Sequence, residues 1–407
     1  MRIDQLQMAN FRQFENLTVE FSPHFNIVIG ENGSGKSSLL DALAIGFSTF
    51  LFKMGGGRKA QILVNDIRLA TYEQSIEYQL PTTLSYSGEI GCNHEEWSVK
   101  KEHSEEVPNN SWNKPMPIVQ EMRQAVTDGQ KNIVPVVAYF PAPRMWQVKG
   151  ELGPTKPTSR LFPYHNALDP INHYKTFLEW FTTKEFAATQ TKRRGFHELE
   201  VVRRAVTNCV EECKGFYHDF DWGFLVIEME DGSIMPIDRL SDGLKNMLAM
   251  VGDIAYRCYS HNPYLGQEAL TSPGVVLIDE LDLHLHPRWQ QHVVNDLKTT
   301  FPNIQFIATT HSPIILSSTD SEDKVILLDD NDVQYLTHTS GRDVNDILSI
   351  YMDAELKNND LVDYFQLIES GLGQSDEALA LRVKIEQASG ADYHELAHAD
   401  LLLSFYE

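Results

Sequence analysis

The sequence predicts an α/β fold: a mixed central sheet with flanking helices, interrupted by a helical insertion and followed by a C-terminal helical bundle. Three observations predict it. An apolar strand passes through a glycine-rich turn into a helix at "FNIVIGENGSGKSSLLDALAIGF". Two further apolar runs, "PGVVLIDE" and "IQFIATTHSP", end in polar side chains. Between and after them, stretches within 150–219 and 343–407 carry apolar residues at helical spacing. The expected division is 1–149, the insertion 150–219, a second lobe 220–342 and the terminal helices 343–407.

Composition bounds what such a chain does. At 407 residues and 42% hydrophobic content there is enough chain for two or three packed units. With 34 basic and 57 acidic side chains the formal charge is −23, so the molecule as a whole repels phosphate backbones and any nucleic-acid contact is local. Cys92, Cys209, Cys213 and Cys258 form no C-x-x-C pair, no secretory leader precedes the first strand, and no apolar run is long enough to span a membrane. A reduced, cytoplasmic protein is expected.

Gly30, Gly35, Lys36 and Ser37 satisfy G-x-x-x-x-G-K-[ST], set between a strand and a helix. Such a turn brings backbone N–H groups onto phosphate oxygens, and the helix dipole adds to the same anion site. Asn32, Gly33, Ser34, Gly35, Lys36, Ser37 and Ser38 are therefore the expected nucleotide-binding residues. Lys36 would meet the β and γ phosphates, and Ser37 would hold Mg²⁺.

The buried run in "PGVVLIDE" suits a central parallel strand whose carboxyl end opens on a ligand crevice. Asp279 is expected to reach the Mg²⁺ held by Ser37, and Glu280 to orient or deprotonate an attacking water. "IQFIATTHSP" places Thr309, Thr310 and His311 after a strand from Ile304 to Ala308, where His311 can sense the γ-phosphate. In "RLSDGLKNMLAMVGDIAYRC", Ser241 caps a helix, Gly243 permits close approach and Lys245 follows them.

In this order the four pieces resemble the ATP-binding-cassette (ABC) class of ATPases: Walker A at 30–37, signature at 240–245, Walker B at 274–280 and switch histidine at 311. The resemblance covers roughly residues 1–145 and 220–340. It implies ATP and Mg²⁺ as cofactors and a head-to-tail homodimer or higher homo-oligomer. Ser241, Gly243 and Lys245 of one chain would close on the ATP bound by the other.

"LDLHLHP" follows Walker B. Its two histidines beside two carboxylates raise a metal site, but a zinc site wants three or four ligands, and Asp279 and Glu280 are committed to Mg²⁺ and water. The class resemblance instead places Asp282 and His284 near the partner's site. Pro287 starts the next helix, and His286 is open between packing under it and a functional role.

The opening "IDQLQMANFRQFENLTVEF" resembles the first hairpin of the SMC, RecF and OLD branch, where Arg12 either approaches the nucleotide or stays solvated. Gly35 and Gly243 stand much further apart than in a transporter ATPase, which argues for an inserted module. Residues 150–218 lack sustained heptads, so the module is compact rather than a long coiled coil. Gln147 is the nearest candidate for a glutamine-loop sensor. Lys192, Arg193, Arg194, Arg203 and Arg204 are the densest cations, suited to nucleic acid, to an acidic partner, or to a solvated turn and helix face.

Residues Asp329 to Asp332 turn a hairpin, and the tail alternates as three or four amphipathic helices. "ELDLHLHPRWQ", "FIATTHSP", "GRDVNDIL" and the terminal helices together resemble the ATPases of bacterial anti-phage defence, above all the PtuA family of Septu and Septu-like retron systems. That resemblance implies a slow, regulatory ATPase with an HNH nuclease (PtuB-like) partner. In retrons it also implies a reverse transcriptase and its RNA–DNA product. The alternative is a RecF-like ATP-dependent DNA clamp in repair, which would carry more than one basic cluster.

Overall fold

The computed structural model describes residues 1–56, 60–72, 75–142, 159–168, 170–190, 196–329, 331–337, 339–342, 344–351, 359–389, 396, 399–400 and 402–403. Gln147 and the cations Lys192, Arg193 and Arg194 lie outside them. The chain divides into two compact units, residues 1–343 and 344–407.

The first unit opens with β1 (Arg2–Phe11), β2 (Phe14–Glu20), β3 (Phe25–Ile29) and α1 (Lys36–Lys53). A small hairpin, β4 (Leu69–Tyr72) and β5 (Ser75–Tyr78), precedes β6 (Thr82–Ile90), β7 (Asn93–Lys101), β8 (Asn109–Ser111), α2 (Met116–Thr127) and β9 (Val136–Phe140). Then come α3 (Pro170–Gln190), α4 (His197–Cys209), β10 (Cys213–Asp219), β11 (Phe224–Met229), β12 (Ile234–Pro236) and α5 (Asp242–His261). The unit closes through β13 (Gly274–Ile278), α6 (Pro287–Gln290), α7 (Val293–Thr300), β14 (Ile304–Thr309), α8 (Pro313–Ser317), β15 (Lys324–Asp329) and β16 (Asp332–Leu336).

Two sheets enclose α1. One is antiparallel, in the order β2-β1-β6-β7-β8. The other runs β16-β15-β3-β14-β13-β9, parallel from β15 to β9 with β16 antiparallel at its edge, which is the mixed sheet expected. Helix α1 is apolar around most of its circumference, as a helix buried on several sides must be. Its Leu39, Leu43, Phe47 and Phe50 join Phe11 and Phe14 of the first hairpin, Trp97, and Ile307 and Ile326 of the parallel sheet in one core.

β3, β13 and β14 are buried at every position, the pattern of strands covered on both faces. Their register aligns Ile278 with Ala308, and Thr309 with Val28. The residues just past Ile29, Ile278 and Ala308 therefore emerge together at the carboxyl edge of three adjacent parallel strands.

The inserted helices pack on the second lobe. Phe177 and Phe181 of α3 stack on Phe216 of β10, with Phe181 at 4.6 Å between centroids, and Trp180 meets Tyr256 of α5 at 4.9 Å. The boundary expected at 219/220 falls inside the β10–β11 hairpin, whose strands pair from Cys213↔Met229 to Asp219↔Phe224. A short acidic turn there hid two strands from a reading based on helical spacing.

The second unit contains α9 (Val344–Tyr351), α10 (Asn359–Glu369) and α11 (Asp376–Ser389). Tyr364, Ile368, Ala378, Ile385, Leu396 and Ala399 form its own small core.

Candidate active site

The glycine turn between β3 and α1 is built on positive φ angles: 149° at Gly30, 91° at Gly33 and 97° at Gly35. At Gly35 a side chain is excluded twice over. Its φ favours glycine, and a Cβ there would lie 1.8 Å from Gln13 Nε2 and 2.3 Å from Phe14 Cζ. The first hairpin thus seals the outside of the loop. No acidic residue lies in the first turn of α1, so no side chain of that turn offsets the helix dipole at the loop. Ser34 Oγ is buried there and has no hydrogen-bond partner among the described residues, an orphan of the kind an anion-binding loop leaves for its ligand.

Lys36 Nζ donates to the carbonyls of Gly30 at 2.8 Å and Glu31 at 2.7 Å, which holds the ammonium across the mouth of the loop. Burial lowers its pKa, and the nearby carboxylates of Asp279, Glu280 and Asp282 oppose that shift. Ser37 Oγ donates to Asp279 Oδ2 at 2.9 Å. This hydroxyl and carboxylate, one from each lobe, offer hard oxygen donors of the type that suits Mg²⁺. Among the described residues, no three His, Cys, Asp or Glu side chains gather as a metal cluster.

Walker B and the switch strand are tied by hydrogen bonds from Thr309. Its hydroxyl donates to Asp279 Oδ1 at 2.6 Å and accepts from the Glu280 N–H at 2.7 Å. Glu280 has φ of 51°, a left-handed conformation that costs a non-glycine residue about 1–3 kcal/mol and persists only where neighbours enforce it. One residue further on, Thr310 Oγ1 donates to Asp282 Oδ1 at 2.5 Å, and the His311 N–H donates to the same oxygen at 3.2 Å. The Asp282 carboxylate, expected beside a partner's site, is thus engaged on the switch segment of its own chain. His311 is exposed at the end of that segment.

The histidine pair resolves into two different roles. His284 is exposed, with φ of 61°, and its carbonyl would lie 2.0 Å from a Cβ on Gly243. The close approach expected of Gly243 is therefore made within the chain, by the loop after Walker B. His286 is exposed as well and does not pack under the helix; its Nδ1 accepts from the Arg288 N–H at 3.3 Å and caps α6. Ser241 caps α5, accepting from the Leu244 N–H at 3.4 Å, and Lys245 lies 3.6 Å from Asp242. Among the described residues no hydrogen bond or ion pair joins Ser241, Gly243 or Lys245 to the glycine turn of residues 30–38.

Arg12 reaches the start of α1 but is paired there. Its Nε donates to Asp66 at 2.9 Å, and its terminal nitrogen donates to Asp41 at 2.8 Å and to Ser38 Oγ at 3.3 Å. Tyr139 OH donates to the other oxygen of Asp41 at 3.0 Å. Gln13, Asp41, Asp66 and Tyr139 escaped the sequence reading because only folding brings them to the loop. Of the cation cluster, Arg203 is bound to Glu185 and Glu200, and Arg204 to the Gln267 carbonyl.

Comparison with known proteins agrees with this geometry. A family described as an AAA domain matches residues 5–207, and one described as "AAA domain, putative AbiEii toxin, Type IV TA system" matches residues 156–317. The chain is 27% identical to the Retron Vc95 probable ATPase of Vibrio cholerae over 95% of its own length and 83% of that protein's. It is 25% identical to the Retron Ec83 probable ATPase of Escherichia coli, covering 79% of this chain and 70% of that one. To the Septu protein PtuA of Bacillus mycoides it is 26% identical, over 82% of this chain and 42% of the relative. Among solved structures, an SMC head bound to the C-winged helix domain of ScpA superposes with a TM-score of 0.50 at 15% identity, covering 83% of this chain and 97% of that one, a likeness of fold.

Fold and site define an ABC-type P-loop ATPase with an SMC-like head. Within that class the chain is similar to the probable ATPases of retrons and to PtuA of Septu.

Proposed function

We propose that this chain is a regulatory, complex-forming ATPase in which Lys36, Ser37, Asp279, Glu280 and His311 bind and slowly split ATP at a head-to-tail dimer interface. The nucleotide state in turn controls an associated nuclease. The observation that carries this reading is the linkage of Ser37, Asp279, Glu280 and Thr309 by hydrogen bonds at the edge of three parallel strands, with the Asp279 and Glu280 carboxylates acting on the Lys36 ammonium.

In this reading the N–H groups of residues 32–38 and the Ser34 hydroxyl bind the phosphates, and Lys36 leaves its loop carbonyls for the β and γ oxygens. Arg12 stays at the rim, within reach of the nucleotide beside Ser38. Ser37 and Asp279 would hold Mg²⁺, which supplies charge neutralisation on the transferring phosphoryl group. Glu280 takes the proton of the attacking water, and His311 meets the γ-phosphate side. Ser241, Gly243 and Lys245 complete the site of a second copy, with His284 on the shared surface and Asp282 bracing the loop that carries it.

The likeness to retron ATPases and to PtuA supports a defence complex; its partners in this proposal are an HNH nuclease and, in a retron, a reverse transcriptase and its RNA–DNA product. We assign its docking to the inserted and terminal helices. Phe186 of α3 and Phe220, Trp222 and Phe224 at the β10–β11 turn expose large aromatic area of the kind protein partners cover. No helix among the described residues is long and apolar enough to cross a membrane. Cys209 and Cys213 are buried and form no disulfide, and burial pushes their thiols up to about 12 and about 11, away from the reactive thiolate.

A mixing experiment tests the head-to-tail arrangement. Lys36→Ala and Ser241→Arg chains should each be inactive alone, because one lacks the phosphate cation and the other blocks the surface offered in trans. Mixed and allowed to exchange, they should recover ATPase activity through hybrid dimers in which one intact Walker A meets one intact signature. Failure to recover, with exchange verified by differently tagged chains, would remove the in-trans role of Ser241.

A further inference from the structure

We propose that Thr309 is a positioning residue for hydrolysis, setting the backbone of Glu280 and the orientation of the Asp279 carboxylate. The inference deepens the proposed function and rests on Glu280 activating the attacking water.

Thr309 grips the Glu280 segment from both sides. Its hydroxyl accepts from the Glu280 N–H at 2.7 Å, and its main-chain carbonyl accepts from the Leu281 N–H at 2.8 Å. The same hydroxyl spends its single proton on Asp279 Oδ1 at 2.6 Å. That leaves Asp279 Oδ2 to face Ser37 at 2.9 Å. One hydroxyl therefore fixes which Asp279 oxygen faces the Ser37 side and where the Glu280 main chain turns.

The turn needs fixing. Glu280 sits at φ 51°, which a residue with a Cβ does not hold unaided. Thr309 is 1% exposed on a strand paired with β3 and β13, so its rotamer is locked by packing. The next residue repeats the device with a different target, since Thr310 holds Asp282 at 2.5 Å. The two consecutive threonines thus hold the Asp279 and Asp282 carboxylates one each, and His311 continues the same main chain.

The experiment compares Thr309→Val, Thr309→Ala and Thr309→Ser in the full chain, with Glu280→Gln beside them. Steady-state ATPase rates, ATP affinity and melting temperature are measured for each. Loss of the hydroxyl should lower kcat by roughly tenfold to a hundredfold, the cost of a small misplacement of a catalytic group. ATP affinity should stay within about twofold, because the phosphate loop is untouched. Serine should restore most of the rate. A purely structural role would lower the melting temperature without this split between kcat and affinity, and without rescue by serine. Should valine fail to fold, alanine reads the same loss without added branching. Unchanged kcat in a folded hydroxyl-free variant, with Glu280→Gln inactive, would overturn the role of Thr309 alone. Wild-type turnover by Glu280→Gln would overturn the proposed function and this inference together.

Discussion

Glu280→Gln should bind ATP as the wild type does and hold it unhydrolysed. The substitution keeps the shape of the side chain, and the main-chain bonds from Glu280 to Thr309 do not involve the carboxylate. Ser37 and Asp279 keep their contact, and Lys36 keeps its loop partners. The proton acceptor is lost, together with one of the three carboxylate charges near Lys36, which does not weaken the binding of a triphosphate. General-base catalysis by a positioned carboxylate contributes about 10² to 10⁴ in rate, so turnover should fall by at least about a hundredfold while affinity stays within about twofold. Single-turnover phosphate release and the identity of the retained nucleotide check this. Rapid turnover by the variant would refute a catalytic role for Glu280.

Lys36→Ala should fail earlier, at binding. Asp279, Glu280 and Asp282 all act on the Lys36 ammonium, so its removal deletes a phosphate contact and also leaves the three carboxylates repelling a triphosphate. Hydrogen bonds to charged groups are worth about 1.5–3 kcal/mol, or roughly ten- to hundredfold in affinity before the repulsion is added. Binding should therefore be undetectable where the wild type is saturated. The fold should survive, because among the described residues the side chain bonds only to the Gly30 and Glu31 carbonyls. Unchanged ATP affinity would show that the Gly30–Ser37 turn is not the nucleotide site.

Much of this site is legible in the sequence because each motif stands at the end of a buried strand. A run such as "GVVLI" followed by Asp279, or "IQFIA" followed by two threonines, announces both the strand and the edge at which it stops. The glycine turn is legible because few residues adopt the conformations of Gly30, Gly33 and Gly35. Contacts that depend on strand order are not. Only the placement of β14 between β3 and β13 brings Thr309 to Asp279, and only the first hairpin brings Arg12 to Asp66, 54 positions away. The same limit explains the loop after Walker B. Sequence type pointed to a partner for Asp282 and His284, while the folded chain engages the Asp282 carboxylate on Thr310 and packs the His284 carbonyl against Gly243. Helical spacing marks α3 and α4 as helices, but the bound expected at residue 219 divides the hairpin whose first strand begins at Cys213.

The most direct measurement is to express the tagged full chain from its own gene neighbourhood, purify it without nuclease treatment, and identify what accompanies it by mass spectrometry and sequencing. A regulatory defence ATPase predicts a stoichiometric HNH protein, with or without an RNA–DNA hybrid, and a complex whose stability changes between wild type and Glu280→Gln. Recovery of duplex DNA alone, retained only when ATP is present, would contradict it and identify a DNA clamp instead.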